Sequence, residues 1–238
     1  MKFYKLPTKR TMTAGIKEYK HAWLIIAYMI FYLLSFVLLE KYDLRPFRLI
    51  HCSLDQYIPY CRYFVIPYMI WFPYVAIAFL YFILQDQKGY YALTKNICFG
   101  MTIFIIVSWV FPNRLFIRPT QVDISDIFGR MVRYLYAIDT ATNVFPSIHV
   151  FNTIAIQTAI HKSDTLRNRK CICIATDILG ISIILSTMLI KQHSVLDVTA
   201  GLLMGLLGYE IFYKHSLGHS YDWMHPAEAL KEFKRRHL

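Results

Sequence analysis

The chain has 238 residues, of which 56% are hydrophobic and only 17% are charged, and it includes 17 Phe, 18 Tyr and 4 Trp. This composition supplies more apolar surface than one small soluble core buries, and it excludes a disordered chain, a fibrous repeat and a soluble nucleic-acid binder. The formal net charge of +11 comes from basic residues between apolar runs, so we interpret it as membrane topology.

Six continuous apolar runs follow one another along the chain. The first two have 18 and 22 uncharged residues, close to the roughly 20 that cross about 30 Å of hydrocarbon as a helix. The runs do not alternate polar and apolar residues, which argues against a β-barrel. We therefore predict an all-α integral membrane protein, a six-transmembrane-helix bundle. Its helices are expected at 22–39, 63–84, 97–111 (extended toward 113), 146–160, 171–190 and 194–213.

Lys and Arg residues predict the orientation of this bundle. Segments 1–21, 85–96, 161–170 and 214–238 hold seventeen of them, and the intervening segments 40–62, 112–145 and 191–193 hold nine. The positive-inside rule then puts both termini in the cytoplasm. The predicted organisation is a basic cytoplasmic segment at 1–21, the membrane domain at 22–213 and a basic cytoplasmic tail at 214–238.

Three ionisable residues fall at the same predicted depth, on the outer side. His149 lies just inside the fourth helix, His193 lies in the turn before the sixth, and Asp197 follows one helical turn later. The i, i+4 spacing puts His193 and Asp197 on one helical face, where the carboxylate can orient the imidazole and make its other nitrogen a better nucleophile. The second histidine can protonate a leaving group. A metal site formed by these three side chains is the alternative.

The residues around this cluster favour an anion over a metal ion. Pro146 suits the first turn of a helix, and the amides that follow, around Ser147 and Ile148, are predicted to form a phosphate site at its positive end. Arg118, in the preceding outer segment, is a cation suited to an anionic substrate. We therefore expect no metal and no cofactor. Asp177, nearer the cytoplasmic side, is interpreted as a polar contact between helices or as a snorkelling group, and the pairing of Cys52 with Cys61 stays open.

These residues carry a resemblance to the type 2 phosphatidic acid phosphatase superfamily. Its pattern is Lys-x6-Arg-Pro, then Pro-Ser-Gly-His, then Ser-Arg-x5-His-x3-Asp. The corresponding elements here are Arg118-Pro119, then Pro146-Ser147-Ile148-His149, and then Ser186-Thr187 with His193 and Asp197. With the order and spacing of these elements and the predicted topology taken together, the resemblance extends over residues from about 20 to 215.

The resemblance implies a role for each matched residue. His193 is the implied nucleophile, Asp197 its orienting partner and His149 the acid that releases the alcohol. Arg118, Ser147 and the nearby amides would hold the phosphate oxygens.

Two cations of the family pattern are replaced here, by Phe111 and Thr187. Lys191 and Arg114 are the nearest candidates to supply the missing charge. The surroundings of His149 and His193 look more like the branch that contains inositol phosphorylceramide synthases and their bacterial relatives, which includes transferases.

The expected function is therefore a metal-independent membrane lipid phosphatase in the cell membrane. It would hydrolyse a lipid phosphate or diphosphate at the extracytoplasmic face through a phosphohistidine, with phosphatidate, prenyl diphosphates and lysophospholipid phosphates as admissible substrates. A phospholipid headgroup phosphotransferase is the close alternative, and a non-catalytic lipid-phosphate binder is the second. The implied partners are the bilayer and a lipid phosphate or phospholipid, not nucleic acid.

Overall fold

The structure is a computed structural model that describes residues 20–42 and 46–214. Most of the predicted basic segment 1–21 and nearly all of the predicted tail 214–238 lie outside the described residues. The described part of the chain is mostly helical, with seven α-helices and one short pair of strands. The helices are α1 Trp23–Tyr42, α2 Val65–Gln85, α3 Gln87–Val110, α4 Ile127–Ile138, α5 Ile148–Lys162, α6 Lys170–Leu189 and α7 Val195–Tyr209. The parallel strands are β1 Arg48–Leu49 and β2 Asn113–Arg114.

Five of these helices are long and apolar enough to cross a membrane. The spans are Trp23–Glu40, Arg62–Gln85, Gln87–Val110, Lys170–Leu189 and Val195–Lys214. The described part of the chain is therefore mostly helical and has the helices of a multi-pass membrane protein, in agreement with the predicted fold class. The remaining predicted run forms α5, a helix of 15 residues that is about 22 Å long at 1.5 Å per residue.

Helix α5 is the centre of the bundle, packed between α3, α6 and α7. Nine of its 15 residues are buried, so its apolar side chains contact protein rather than lipid. Glycines on α3 and α7 allow these helices to approach α5 closely. A Cβ added to Gly100 of α3 would lie 2.1 Å from the Phe151 ring, and one added to Gly205 of α7 would lie 2.6 Å from Ile154. The sequence therefore uses small residues on the neighbours to admit large ones on α5.

The helices bring two sets of loops to opposite ends of the bundle. At one end, the paired strands join segment 46–64 to segment 111–147. Within the second segment, Asn113 Oδ1 accepts from the amides of Val144 (2.8 Å) and Phe145 (3.0 Å). At the other end, Ser163 donates to Asp86 (2.6 Å). Because α5 begins at Ile148 and ends at Lys162, it connects these two ends.

Helix α4 was not among the predicted elements. It begins at Asp126, whose side chain caps the Gly129 amide (2.8 Å). Its inner face packs Val132 and Leu135 against Val65 and Tyr68. A helix of 12 residues with one apolar face is too short and too polar to resemble a membrane span, so the hydrophobic-run analysis assigned this region to a loop.

Helix α1 is the least covered by protein of the five spans, since only 17% of its residues Trp23–Glu40 are buried. Hydrogen bonds of Tyr28 and Glu40 join it to the rest of the bundle. Tyr28 donates to the Cys98 carbonyl (2.9 Å), and Glu40 accepts from Thr140 (2.6 Å) and Thr142 (2.6 Å) of the loop after α4. This helix therefore contacts the site end of the bundle through a carboxylate.

The structure also shows the surroundings of Asp177 and the state of Cys52 and Cys61. Asp177 of α6 pairs with His161 of α5 (2.8 Å), so it is a polar contact between helices, as interpreted. Cys52 and Cys61 are free thiols.

Substitution of the packing glycines tests the central position of α5. Gly100→Ala should lower the free energy of unfolding in detergent, because overpacking costs roughly 1–3 kcal/mol, more than the about 1 kcal/mol that Ala contributes as a better helix former. Gly180→Ala is the matched control. There the added methyl would meet the end of the half-buried Gln157 side chain, which can move aside, so stability should change little. Equal effects of both changes would contradict the packing argument.

Candidate active site

The turn between α6 and α7 presents His193 to the carboxylate of Asp197. Ser194 caps α7, and its amide donates to Asp197 Oδ2 (3.0 Å). The same oxygen lies 2.9 Å from His193 Nδ1, which is the hydrogen bond expected from the i, i+4 spacing. Asp197 is fully buried and His193 is 6% exposed. The carboxylate therefore fixes both the ring orientation and the start of the helix.

His149 is the second imidazole of the site. Its Nδ1 lies 3.3 Å from His193 Nε2, and its ring packs on Trp71 (4.2 Å between centroids) and Tyr68 (4.7 Å). In the neutral tautomer of His193 that donates from Nδ1 to Asp197, Nε2 holds a lone pair, and His149 Nδ1 is then the donor between the two rings. Asp197, His193 and His149 thus form one directed chain of hydrogen bonds.

The beginning of α5 is held by α7 rather than left open for a ligand. The Ser147 amide donates to the Asp197 carbonyl (3.1 Å), and the Ser147 hydroxyl oxygen accepts from the Val150 amide (3.4 Å). A Cβ on Gly201 would lie 2.7 Å from the Ser147 carbonyl oxygen, so the two helices meet without a gap. The predicted phosphate-binding amide of Ser147 is therefore occupied within the protein, whereas Ile148 lines the pocket.

A small pocket of about 50 Å³ opens beside the two histidines. Its polar wall consists of Tyr68, Asp139, Thr140, Thr142, Asn143, Gln192, His149 and His193, and its apolar wall consists of Phe36, Phe104, Val144 and Ile148. Within the described part of the chain, the residues that line it include no Lys or Arg. The pocket has the size of a headgroup fragment rather than of a whole lipid.

Arg118 lies behind the pocket wall. Its guanidinium donates to the carbonyls of Tyr136 (3.3 Å) and Asp139 (2.7 Å) and to the side-chain oxygen of Gln192, and it stacks on the Tyr136 ring (4.4 Å). Burial lowers the pKa of this guanidinium from its ordinary value. Arg118 therefore reaches the pocket through Gln192, which lines it next to His193.

The two substitute cations point elsewhere. Lys191 is 8% exposed, and its ammonium donates to the carbonyls of Asp55 (2.8 Å) and Ile58 (2.5 Å) in the loop before α2. Burial lowers the pKa of this ammonium. Arg114 stacks its guanidinium on the exposed Phe116 ring (4.9 Å). Neither residue lines the pocket.

Asp55 completes this arrangement from the other side. Its carboxylate accepts from the Ser194 hydroxyl (2.7 Å) and the Val195 amide (2.9 Å), at the start of α7. The turn that carries His193 is therefore bonded to segment 52–58 twice. Lys191 of the turn donates to carbonyls of the segment, and Asp55 of the segment accepts from the start of α7. We call this pair the Lys191–Asp55 clamp.

The pocket residues that the sequence did not single out include Tyr68, Asp139 and Gln192. Tyr68 lies inside an apolar run and resembles a core aromatic residue. Asp139 lies in segment 112–145, which was predicted only as an outer loop between two helices, whereas Asn143 begins the Asn143-x-Phe-Pro-Ser-x-His149 stretch that carries part of the resemblance. Only Gln192, adjacent to His193, had a signal, since the residue before a candidate nucleophile lies within reach of its ligand.

Within residues 20–42 and 46–214, no group of three His, Cys, Asp or Glu side chains has the arrangement of a metal site. Comparisons of the chain with protein-family models, curated proteins and solved structures find no match.

The Lys191–Asp55 clamp can be tested by a double-mutant cycle on stability. Lys191→Met removes the ammonium that binds segment 52–58, and Asp55→Asn weakens the carboxylate that caps α7. Since both changes break the same junction, the double variant should lose less unfolding free energy than the sum of the single losses, with a coupling of about 0.5–3 kcal/mol. Denaturant unfolding in detergent measures it.

A cycle between Lys191→Met and Asp177→Asn serves as the control, because Asp177 lies at the far end of the bundle. These changes should add within about 0.3–0.5 kcal/mol. Additive behaviour in the Asp55 cycle as well would contradict the clamp and return Lys191 to the list of candidate phosphate ligands.

Proposed function

We propose that the protein cleaves a lipid phosphate ester through a covalent phosphohistidine on His193. The chain of contacts from Asp197 through His193 to His149 carries this proposal, because it holds the His193 ring by Nδ1, leaves Nε2 as the nitrogen that can attack, and puts the second imidazole 3.3 Å from it beside the pocket. A buried carboxylate that holds the other ring nitrogen also stabilises the imidazolium-like charge that develops when Nε2 forms a bond to phosphorus.

In the first step, the Nε2 lone pair attacks phosphorus and forms a P–N bond. The bond from phosphorus to the alcohol oxygen breaks, and its electron pair stays on that oxygen. Protonated His149 gives its proton to the same oxygen, so the alcohol leaves neutral. The contact between the two imidazoles must open for the phosphorus to enter, which makes His149 the first group that the bound ester meets.

In the second step, water attacks the phosphorus of the phosphohistidine. Its proton passes to His149, which the first step left neutral, while the P–N electron pair returns to Nε2. Phosphate is released and both histidines regain their starting protonation states. When a lipid alcohol replaces water, the same step is a phosphotransfer.

An amphiphilic substrate is supported by the apolar wall of the pocket. Phe36 of α1 and Phe104 of α3 belong to two of the helices long and apolar enough to cross a membrane. A phosphate beside the histidines would thus have its alkyl portion along aromatic side chains that continue toward lipid. A headgroup-sized polar end and an apolar side opening suit a lipid better than a soluble metabolite.

The charges of the pocket favour headgroup phosphotransfer as a second candidate function. A phosphate monoester carries up to two negative charges and a diphosphate more, whereas the described lining offers no Lys or Arg and includes the carboxylate of Asp139. A phosphodiester with one negative charge fits such a wall better. This observation supports a phospholipid donor and a lipid alcohol acceptor.

For topology, we propose six crossings in the cell membrane, both termini in the cytoplasm and the histidines on the extracytoplasmic side. Helix α5 supplies the crossing beyond the five long spans, since it connects the two ends of the bundle. The end opposite the histidines carries Lys162, Arg167, Arg169 and Lys170 within a short stretch, as cytoplasmic loops do.

Loss of the nucleophile should remove the covalent intermediate. His193→Ala should abolish turnover of phosphatidate, farnesyl diphosphate and phosphatidylglycerol, together with acid-labile phosphate on the protein. His149→Ala should lower turnover by about 10²–10⁴-fold, the usual value of general acid catalysis. Labelled lipids followed by acid and alkaline quench would measure both.

His161→Ala is the matched control, since His161 also pairs with an aspartate but at the opposite end of the bundle. Its activity should equal that of the parent protein. Parent-like turnover by His193→Ala, or an equal loss in His161→Ala, would rule out the assigned nucleophile.

Cysteine labelling tests the topology. In a background without native Cys, a cysteine in place of the exposed Gln121 should react with an impermeant maleimide added to intact cells. One in place of the exposed Asn168 should react only after permeabilisation. The reverse labelling would put the histidines in the cytoplasm.

A further inference from the structure

The pocket contains hydrogen-bond acceptors that a phosphate cannot use. Asp139 lines the pocket, and its Oδ2 accepts from the Tyr68 hydroxyl (2.5 Å). No described residue donates to its Oδ1. Asn143 is 3% exposed, its nitrogen donates to Glu40 (3.3 Å), and its Oδ1 has no partner among the described residues.

These atoms need an explanation because phosphate oxygens are themselves acceptors. A carboxylate and an amide oxygen in the wall of the pocket would repel a phosphate ester bound there, and a buried amide oxygen without a donor costs roughly 1–3 kcal/mol. Burial also raises the pKa of the Asp139 carboxyl from its ordinary value, so its surroundings disfavour charge. Both costs are removed if the bound molecule brings its own hydrogen-bond donor.

We propose that Asp139 and Asn143 form a hydroxyl-binding subsite that accepts hydrogen bonds from a free hydroxyl on the alcohol joined to the reacting phosphorus. This inference rests on the proposed function, since it adds a second contact region to the same pocket. The alcohol is either the one that leaves in the first step or the one that accepts the phosphoryl group in the second. The subsite then selects hydroxyl-bearing alcohols over plain alkyl alcohols.

A purely structural role for Asp139 would be to balance the buried charge of Arg118. Arg118 donates to the Asp139 backbone carbonyl (2.7 Å) and lies close enough to favour the ionised carboxylate. That role leaves the free Oδ1 of Asn143 unexplained, and it makes no distinction between substrates. Substrate preference is therefore the readout that separates the two roles.

The first arm of the test compares two phosphodiesters that differ only in hydroxyl groups. Phosphatidylglycerol and phosphatidylpropanol have the same charge and the same headgroup length, but the second has no free hydroxyl. Consumption of each lipid by the purified full chain in detergent should favour phosphatidylglycerol about tenfold or more in kcat/KM, the effect expected when a site built for a hydroxyl loses it.

Three variants assign that preference to residues. Asp139→Asn keeps an oxygen for the Tyr68 hydroxyl but turns a donor toward the pocket, so the preference should fall to about threefold or less. Asn143→Gly removes the amide oxygen and suits the positive φ of 51° at this position, and it should also reduce the preference. Asp177→Asn, at the far end, should keep the parental ratio.

The second arm tests the acceptor. With phosphatidylpropanol as donor, glycerol or 1-propanol is added at equal concentration, and the labelled transfer product is measured. Preference for glycerol in this arm alone assigns the subsite to the acceptor, and preference in the first arm alone assigns it to the leaving alcohol.

The outcomes separate this inference from the proposed function. Turnover that depends on His193 with equal rates for both members of each pair would overturn the hydroxyl-binding subsite and leave the proposed function intact. An unchanged preference in Asp139→Asn and Asn143→Gly would also overturn it. Absence of turnover with every lipid, in protein whose unfolding is that of a folded chain, would overturn the proposed function and the subsite with it.

Discussion

The fully buried carboxylate of Asp197 is the group on which the site depends. Its Oδ2 accepts from His193 and from the Ser194 amide, and its backbone carbonyl accepts from the Ser147 amide at the start of α5. One residue thus orients the nucleophile candidate, starts α7 and ties α7 to the helix that carries His149. A buried carboxylate without these donors would be strongly destabilising, so the burial of Asp197 requires the geometry of the site.

The cost of burying a charge without partners also explains why Arg118 and Lys191 do not line the pocket. Arg118 is held by two carbonyls and Gln192, and Lys191 by two carbonyls of segment 52–58. Each cation is partly desolvated and gains its stability from fixed backbone dipoles. Both cations therefore hold the loops around the pocket, whose own polar wall consists of imidazoles, amides, hydroxyls and the Asp139 carboxylate.

Local patterns in the sequence predicted the parts of this protein that depend on short-range geometry. Apolar length predicted the spans, and the i, i+4 spacing predicted the His193–Asp197 hydrogen bond. The meeting of His149 with His193 followed from equal depth in the predicted bundle. These features need only helix geometry and the thickness of a bilayer.

The remaining features depend on contacts between distant segments. The partners of Lys191 lie more than 130 residues away along the chain, so its proximity to His193 in sequence gave no sign that its ammonium bonds to segment 52–58. Helix α4 was hidden by its short length, and with it Asp139, which ends that helix beside the pocket. Tyr68 was hidden among apolar neighbours because its hydroxyl has a partner only in the folded bundle.

The contact between Glu40 and the loop after α4 has a mechanical consequence. Helix α1 faces lipid along most of its length, and a helix in that position adjusts its tilt to the thickness of the surrounding bilayer. Glu40 is bonded to Thr140, Thr142 and Asn143, all of which line the pocket. A change of tilt would therefore pull directly on the pocket wall, so that membrane thickness becomes one of the quantities that set the width of the site.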